Sequence, residues 1–561
     1  ICRRLDGVPL AIELAAARMA VLSAHQIAER LDQRFVLLSG GSRTAPLRQR
    51  TLRQTVEWSY DLLSPAERTL FDRLSVFAGS FSLEAIEAIV DQEAAADADG
   101  AGALSAIAAT AGDQPRVPIL DLLSGLVNKS LVLAEPTPDG SVRYRLLETL
   151  RQYGRELLEQ RGGAEAVRRR HAAYYLRLAE EVEPELRGPR QDAWLARLEL
   201  EHDNLRAALA WSRDMPGGAD IGVRLAGALG WFWYIHGRPG EGRRQIAAAL
   251  DAAGDVSMSA RARALGAAGF LARLQGEAAV SWALLEESVA LHRALGDHWG
   301  VAFGLNGLGM VARRRGEYEQ AAALCEEGLA LFQLVGDRWG VAWSLVHVGE
   351  AVAEQGDLQR AAEVLRHGLA VARELRNRQI TAWALTSLAR IAEVQGHYDE
   401  TEALVGESLI LFRELGDPRG IALLLGVLGN VAMARGDHEQ ARTRYAESLH
   451  LRQEIRDSGG IAECLEGLAA ATVLGHTLAG GAAGEQPEQD GPVARAVRLF
   501  GAAEALRDAV GAPVPLFYRA AYDRAVAAAR AGASDAAFAT AWAAGRQLTV
   551  EDAITEALAH D

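Results

Sequence analysis

Lys129 is the only lysine among the 561 residues, so it decides whether the chain itself can hold a nucleotide phosphate. A phosphate-binding loop needs the pattern G-x-x-x-x-G-K-[ST], because backbone amides surround the phosphates and the lysine reaches their charge. In "GLVNKS", Asn128 stands where the second glycine is required, and the apolar pattern before it is that of a helix end. The chain therefore lacks this loop, and we predict that it does not hydrolyse ATP.

Other catalytic or metal-binding patterns are also missing from the sequence. "HEQAR" at His438 lacks the second histidine of a zinc protease helix, and no G-x-S-x-G elbow occurs. The cysteines Cys2, Cys325 and Cys464 lie too far apart for a zinc site or a disulfide framework. A lone histidine such as His347 is more often a core or solvated residue than a ligand. We therefore expect no enzyme, metal or cofactor in this chain.

Composition narrows the possible partners and the compartment. The formal charge is -15, which gives no overall basic surface for nucleic acid, so DNA contact is expected only through a domain outside this chain. No apolar run reaches the ~18 residues of a membrane span, and no secretory signal opens the sequence. We expect a cytoplasmic, mainly α-helical protein with no membrane contact.

A repeat with a period of 40 residues is the strongest internal pattern. Glycines recur at this spacing, each between two amphipathic segments, and the repeat is clearest over residues 256–475; the glycines are Gly276, Gly316, Gly356, Gly396 and Gly436. The units resemble the tetratricopeptide repeat, whose packing positions match Leu305, Leu308, Gly309, Ala312, Tyr318, Ala321 and Leu329. Val352 stands where the family prefers a small residue, and the family unit is shorter. We predict an α-α superhelical solenoid of tetratricopeptide repeats.

The inner helices of such a solenoid line a groove that takes a protein, a peptide or a small inducer. The resemblance places one row of groove positions on Phe303, Trp343, Trp383 and Leu423, and a second on Asn306, Val346 and Thr386. A third row changes chemistry in every repeat, as binding positions do: Met310, Glu350, Arg390 and Asn430. We predict partner binding by Phe303, Asn306, Met310, Trp343, Glu350, Trp383, Arg390 and Asn430. The alternative is that the tryptophans only fill gaps between repeats.

The preceding residues, 42–160, have a different pattern. "SPAERTLFDRLSVFAG" carries a capping box, with Ser64 as cap and Glu67 three residues later. A helix, "ILDLLSGLVNKS", is followed by "LVLAE", the turn "PTPDG" and "SVRYRLL", which predicts a β-hairpin and so a winged helix. Arg48, Arg50 and Arg53 could form a DNA-binding face, although solvated side chains are the commoner explanation.

The first residues resemble a signalling ATPase. "GVPLAIELAAARM" is similar to the G-x-P-L motif that ends the helical lid in signal-transduction ATPases with numerous domains (STAND) of the NB-ARC type. "RYRLLETLRQYGRELL" stands where that family often has a Met-His-Asp sensor, but Leu147 replaces the histidine; Glu148 stands in the acidic position. The resemblance implies that Pro9 lies near the adenine and that ATP or ADP with Mg²⁺ is bound only by a longer parent protein.

The whole arrangement resembles bacterial regulators of the LuxR-type large ATPase, MalT-like and SARP kinds. We predict the end of the ATPase lid at 1–41, the winged helix at 42–160, the solenoid at 165–478, a linker at 479–492 and a helical block at 493–561. "AWAAGRQLTVEDAITEAL" resembles the segment before a LuxR-type DNA-binding domain, which we expect to be missing here. The implied function is the sensor part of a transcriptional regulator that can form oligomers when activated. Two alternatives are a non-enzymatic repeat adaptor for protein–protein interaction and a DNA-binding winged-helix regulator.

Overall fold

The computed structural model describes residues 52–90, 118–137, 140–252, 254, 256–478 and 491–559, and before them 1, 12, 15, 16, 19 and 22–30. The chain divides into two compact units. One comprises Ile1–Glu180 and Ala196–Leu225, and the other comprises Glu181–Leu195 and Ala226–Asp561. Pro9, Arg48 and Arg50 lie outside the described residues, and the predicted domain boundaries remain predictions.

The fold is mainly α-helical, as predicted, with a winged helix followed by an α-α superhelical solenoid. The elements up to residue 214 are α1 (Ala24–Arg30), α2 (Leu52–Asp61), α3 (Pro65–Leu74), β1 (Ser80–Phe81), α4 (Leu83–Val90), α5 (Ile119–Asn128), β2 (Leu133–Pro136), β3 (Val142–Arg145), α6 (Glu148–Gln160), α7 (Ala164–Glu185), α8 (Gln191–Leu200) and α9 (His202–Asp214).

The remaining elements are all helices among the described residues. They are α10 (Ala219–Ala228), α11 (Gly230–Ile235), α12 (Pro239–Asp251), α13 (Met258–Leu274), α14 (Ala278–Leu295), α15 (His298–Arg314), α16 (Tyr318–Val335), α17 (Arg338–Glu354), α18 (Leu358–Glu374), α19 (Arg378–Val394), α20 (Tyr398–Leu415), α21 (Pro418–Ala434), α22 (His438–Glu454), α23 (Ser458–Leu478), α24 (Pro492–Val510), α25 (Leu516–Ala531), α26 (Asp535–Gly545) and α27 (Val550–Leu558).

The predicted hairpin is confirmed and forms the wing. Strands β2 and β3 pair antiparallel with Leu133 opposite Arg145, and β1 pairs with the other edge of β3, so the sheet order is β1-β3-β2. Gly140 in the connecting turn has φ 84°, a backbone conformation that glycine adopts without a steric penalty. The buried aromatic rings of Phe77 and Phe81 stack with their centroids 4.2 Å apart.

The capping box is also confirmed, and it accounts for the single lysine. The Glu67 amide donates to the Ser64 hydroxyl, and the Ser64 amide donates to the Glu67 carboxylate, over 3.3 and 2.8 Å. Lys129 at the end of α5 places its Nζ 2.6 Å from Glu67 Oε1. A Cβ at Gly125 would lie 2.4 Å from the same oxygen, so glycine is needed for this approach. Lys129 therefore holds α5 against α3 and serves a structural role.

The corner "GD-x-x-G" between repeats has a physical explanation at each residue. Gly336 ends α16 in the left-handed region at φ 73°, and the Asp337 carboxylate then accepts the Gly340 amide of α17 over 2.9 Å. A Cβ on Gly340 would lie 2.2 Å from the ring of buried Phe332, so only glycine lets the two helices meet this closely. This corner supplies part of the 40-residue period.

Two repeats lack the corner glycine and still make the same turn. Arg376 and Arg456 stand at the equivalent positions with φ 53° and 57°. A left-handed conformation costs a side-chain-bearing residue roughly 1–2 kcal/mol. The packing of the adjoining helices therefore imposes this turn even where the local sequence does not favour it. Separately, within the part of the chain that the structure describes, no helix is both long and apolar enough to cross a membrane.

Candidate ligand-binding cavity of the repeat solenoid

The first helices of successive repeats bring five of the predicted partner-binding residues to one cavity of about 290 Å³. This cavity lies wholly within the second compact unit. The five residues are Met310, Trp343, Glu350, Trp383 and Arg390. Their role in binding is not tested by their position and remains a prediction. Pockets of roughly 300–1,000 Å³ commonly hold small ligands, so the space is suitable in size for one.

The aromatic side of the cavity is partly covered by the chain itself. Trp343 is 2% exposed and stacks on Trp339, with the ring centroids 5.7 Å apart. Trp231 from α11 packs edge-on against Trp343 at 5.9 Å, and it also contacts the predicted groove residue Phe303. Arg187 lies over Trp339, 5.5 Å from its centroid. Segments from before the clear repeats therefore occupy part of the inner face.

Two predicted residues have polar partners elsewhere in the solenoid. Asn306 is fully buried and donates from Nδ2 to the Ser344 hydroxyl over 2.7 Å, which links the first helices of two repeats. Asn430 accepts from the Tyr445 hydroxyl over 2.6 Å and lines a neighbouring cavity of about 510 Å³. Arg390 lines both cavities. Asn306 and Phe303 thus lie apart from the residues that line the 290 Å³ cavity.

A segment after the repeats also lines the two cavities. Residues 512–515 line the cavities, and Pro513 lies so close to the turn at Gly316 that a Cβ there would be 2.9 Å away. The Arg390 guanidinium lies over the ring of Phe517 at 4.9 Å, and the Tyr518 hydroxyl donates to Glu393 over 2.6 Å. Burial raises the pKa of the Glu393 carboxyl to about 7.

A set of ion pairs lines the cavity. Glu350 lies 3.3 Å from Arg313 and 3.1 Å from Nδ1 of His347, and it accepts from the Ser387 hydroxyl over 3.0 Å. Burial works against the charged carboxylate, but these contacts outweigh it and the pKa of Glu350 falls below its usual value. Burial lowers the pKa of His347, so the imidazole is favoured in its neutral form.

A second carboxylate on the same helix is held less closely. Glu354 is 3.7 Å from Arg313 and 3.8 Å from Arg390, and its Oε2 is buried without a hydrogen-bond partner. Burial raises its pKa above the usual value. The Nε–H groups of Arg313 and Arg390 are likewise buried and unpaired. Buried polar groups left without a hydrogen bond in this way cost roughly 1–3 kcal/mol each.

The remaining arginines of the lining mostly have carboxylate partners. Arg507 forms a bidentate pair with Glu466 at 2.6 and 2.7 Å, and Arg419 forms one with Asp417 at 3.1 and 3.2 Å. Arg452 is 5% exposed and lies 3.1 Å from Glu463 and 3.4 Å from Asp457. Arg314 approaches Asp457 only to 3.7 Å.

Arg273 is the exception and was missed in the sequence. It donates to the Tyr234 hydroxyl over 3.0 Å, its Nε–H is buried without a partner, and no carboxylate pairs with it among the described residues. Burial lowers its pKa, helped by the positive charges of Arg419, Arg314 and Arg313. The sequence did contain an indication of this residue. Arg313 lies three residues after the predicted groove residue Met310, and Arg273 occupies the equivalent position 40 residues earlier.

Outside the solenoid, the basic face predicted for the winged helix has one described member. Arg53 forms ion pairs with Glu57 and Glu156, each at 2.9 Å, so its charge is balanced on the surface. Within the solenoid, burial raises the pKa of the Cys325 thiol to about 12, which keeps it uncharged and a poor nucleophile near neutral pH.

Two family models match parts of the chain. The tetratricopeptide repeat model matches residues 300–374, and the winged helix-turn-helix domain model matches residues 93–159. Neither description names a catalytic activity. Together they support the two architectural predictions made from the sequence.

Curated relatives come from mycobacteria. A candidate HTH-type transcriptional regulator of Mycobacterium tuberculosis is 43% identical over 242 residues, which is 43% of this chain and 25% of the relative. An uncharacterized protein of the same organism is 43% identical over 171 residues, 30% of this chain and 39% of the relative. The chain thus spans about a quarter to two fifths of the length of these relatives.

A solved structure with a similar chain path is a STAND protein with a tetratricopeptide repeat sensor from Pyrococcus horikoshii. The match has 14% identity and a TM-score of 0.47, and it covers 92% of this chain and 71% of that chain. Similarity at this level has no bearing on function or ligand. The chain therefore combines a winged helix-turn-helix region with tetratricopeptide repeats and is related to mycobacterial proteins that include a candidate transcriptional regulator.

Proposed function

We propose that this chain is the sensor portion of a larger signal-transduction ATPase that regulates transcription. In this role the solenoid binds an effector, and the winged helix transmits the nucleotide state of the ATPase module. The observation that carries the proposal is the 43% identity to a candidate HTH-type transcriptional regulator over 242 residues. The repeat and winged-helix matches within one chain support it.

The effector site in this proposal is the 290 Å³ cavity. Its walls come from the repeats, from α11 through Tyr234 and from the segment at Ala512 and Pro513, which lie far apart in the sequence. A ligand that touched all three would bias their relative positions. A protein, peptide or small inducer can act in this way, provided that it binds the two positions with different affinities.

The nucleotide belongs to the parent protein in this proposal. ATP or ADP with Mg²⁺ binds a module before this chain, with Pro9 near the adenine. DNA is bound by a domain outside this chain. The net charge is -15, and Arg53, which is the one described residue of the predicted basic face, is paired with acids. Activation is accompanied by oligomerisation, and the protein acts in the cytoplasm.

The test is to delete the gene that contains this chain and to compare transcripts with the parent strain by RNA sequencing. We expect a defined set of transcripts to change and the intact gene to restore them. A gene with Trp383→Ala and Arg390→Ala should restore them incompletely, because both side chains line the cavity. Arg435→Ala is the matched control, since Arg435 pairs with Asp399 and Glu402 on the exposed side of the repeats.

Purified chains with the same substitutions are compared by thermal unfolding, so that loss of stability is separated from loss of regulation. Unchanged transcripts after deletion would refute a role in transcription. Full restoration by the cavity variant would refute the cavity as the effector site. A variant that is stable and fails to restore supports both parts of the proposal.

A further inference from the structure

We propose that the cavity binds a small organic anion through Arg273, Arg313 and Arg314, and that this anion is the effector. The inference rests on the proposed sensor function and adds the chemical class of the ligand. The three side chains line the same cavity, and Arg313 and Arg314 lie close enough to Arg273 for their positive charges to lower its pKa. Among the described residues none of them donates a hydrogen bond to a carboxylate, whereas Arg419 and Arg507 do. Arg313 and Arg314 form longer ion pairs, at 3.3 to 3.7 Å, with Glu350, Glu354 and Asp457.

Arg273 differs from the other lining arginines because no carboxylate pairs with it among the described residues. Arg419, Arg452 and Arg507 are neutralised by Asp417, Glu463 and Glu466, which are their nearest carboxylates. Arg273 donates to the Tyr234 hydroxyl and has no acidic partner in the part of the chain that the structure describes. Its neighbours Arg419, Arg314 and Arg313 are positive as well, and their charges repel that of Arg273. A bound anion would remove this repulsion.

The guanidinium groups also point to phosphate or carboxylate chemistry. The Nε–H groups of Arg273 and Arg313 are buried, so an anion in the cavity would meet their terminal N–H groups. A guanidinium offers parallel N–H groups that match two oxygens of a phosphate or carboxylate, and these charge-assisted bonds are short and strong. The nearest oxygens now available to Arg313 and Arg314 lie 3.3 to 3.7 Å away, on Glu350, Glu354 and Asp457.

The rest of the wall indicates an organic molecule rather than a bare ion. Trp343, Trp383, Met310 and Leu423 line the same cavity. These apolar and aromatic surfaces can cover a flat or aliphatic body while the arginines hold its anionic group. The cavity volume of about 290 Å³ is suitable for a molecule of that size.

The test uses two probes with different anionic groups, pyrophosphate for phosphate and citrate for carboxylate. Each is titrated into the purified full chain by calorimetry in 150 mM NaCl, with spermidine as a cationic comparison. We expect at least one anion to bind with a Kd below about 1 mM and spermidine not to bind. The stronger of the two anions identifies the group that the natural ligand carries.

Substitutions then locate the site. Arg273→Met should weaken binding at least tenfold, and Arg314→Met should weaken it at least fivefold. Arg293→Met is the matched control, because Arg293 lies on the exposed side and pairs with Glu327, and it should change the Kd less than twofold. Without ligand, Arg273→Met should keep or raise the melting temperature, because it removes an unpaired charge; a purely structural arginine would lower it.

Failure takes a distinct form for each claim. Absence of binding by both anions up to 10 mM, or equal weakening by Arg293→Met, would overturn the anion site while the transcript experiment stands. If Arg273→Met does not fold, Arg314→Met decides between the same outcomes. Anion binding at this site combined with unchanged transcripts after gene deletion would instead refute the sensor function and leave the site in place.

Discussion

The ion pair between Arg507 and Glu466 is expected to hold the segment at 512–515 against the repeats. Arg507 forms two bonds to Glu466, at 2.6 and 2.7 Å, and also donates to the backbone carbonyls of Ala512 and Pro513 over 3.4 and 3.3 Å. Both side chains are nearly buried, at 9% and 13% exposure. Arg507→Met would leave the Glu466 carboxylate without its partner in a site where burial already raises its pKa.

Removal of one partner from a buried ion pair costs about 3–5 kcal/mol, because the other charge stays buried and unpaired. We expect Arg507→Met to lie in this range. The double variant with Glu466→Gln should be less destabilised than Arg507→Met alone, since the unpaired carboxylate is then gone. Arg546→Met is the control. Arg546 pairs with Glu504, which lies on α24 as Arg507 does, but this pair is exposed, so the substitution should destabilise the protein much less than Arg507→Met.

Hydrogen exchange followed by mass spectrometry is the suitable assay, because a chain of two compact units need not unfold in one step. Peptides covering 495–520 should exchange faster in Arg507→Met than in the wild type, and peptides of the winged helix should not change. Exchange in Arg507→Met no faster than in Arg546→Met would refute the claim that this pair fixes the segment.

Three further predictions concern the repeats, the pH dependence and the absence of catalysis. Gly340→Ala should destabilise the solenoid by roughly 1–3 kcal/mol, since its Cβ would overlap Phe332. Gly406→Ala, which lies in open space within α20, should instead stabilise it by about 0.5–1 kcal/mol. Equal urea midpoints for the two variants would contradict this. Glu393 has a pKa of about 7 in the folded protein, above its usual 4.5. Between these two values the folded state keeps the proton and the unfolded state has lost it, so the free energy of unfolding falls as the pH rises from 4.5 to 7. Glu393→Gln should remove a fall of at most ~3 kcal/mol between pH 5 and 8 in urea titrations, and an unchanged pH profile would speak against it. In a phosphate-release assay the purified chain should show no ATP hydrolysis, and turnover that follows the protein through purification would disprove this.

The helices, turns and hairpin could be predicted because residues close together in the sequence determine them. The glycine period predicted the turns, and the Ser64 capping box and the hairpin at 133–145 were predicted from turn and cap chemistry. The close approach of Gly340 to Phe332 was not, because it depends on how two helices pack. The left-handed turns at Arg376 and Arg456 oppose local preference, so only the packed repeats explain them.

The candidate site was predicted in part for the same reason. Repeat alignment identified Trp343, Glu350 and Arg390, which line the cavity, because equivalent positions of a periodic solenoid share a face. Trp231 packs against Trp343, and Pro513 packs against the turn at Gly316. Each pair is separated by more than a hundred positions in the sequence, so no local pattern could predict these contacts. Arg273 was missed because the sequence does not show that it has no carboxylate partner among the described residues. Only the three-dimensional arrangement reveals this.

The most direct test of the account is the transcript profile of a strain whose chromosomal gene carries Arg273→Met. The account predicts that the transcripts altered by gene deletion are also altered in this strain, and that Arg293→Met leaves them at wild-type levels. Wild-type transcript levels in the Arg273→Met strain, with the deletion strain still altered, would contradict the claim that this chain regulates transcription through an anion held in the arginine-lined cavity.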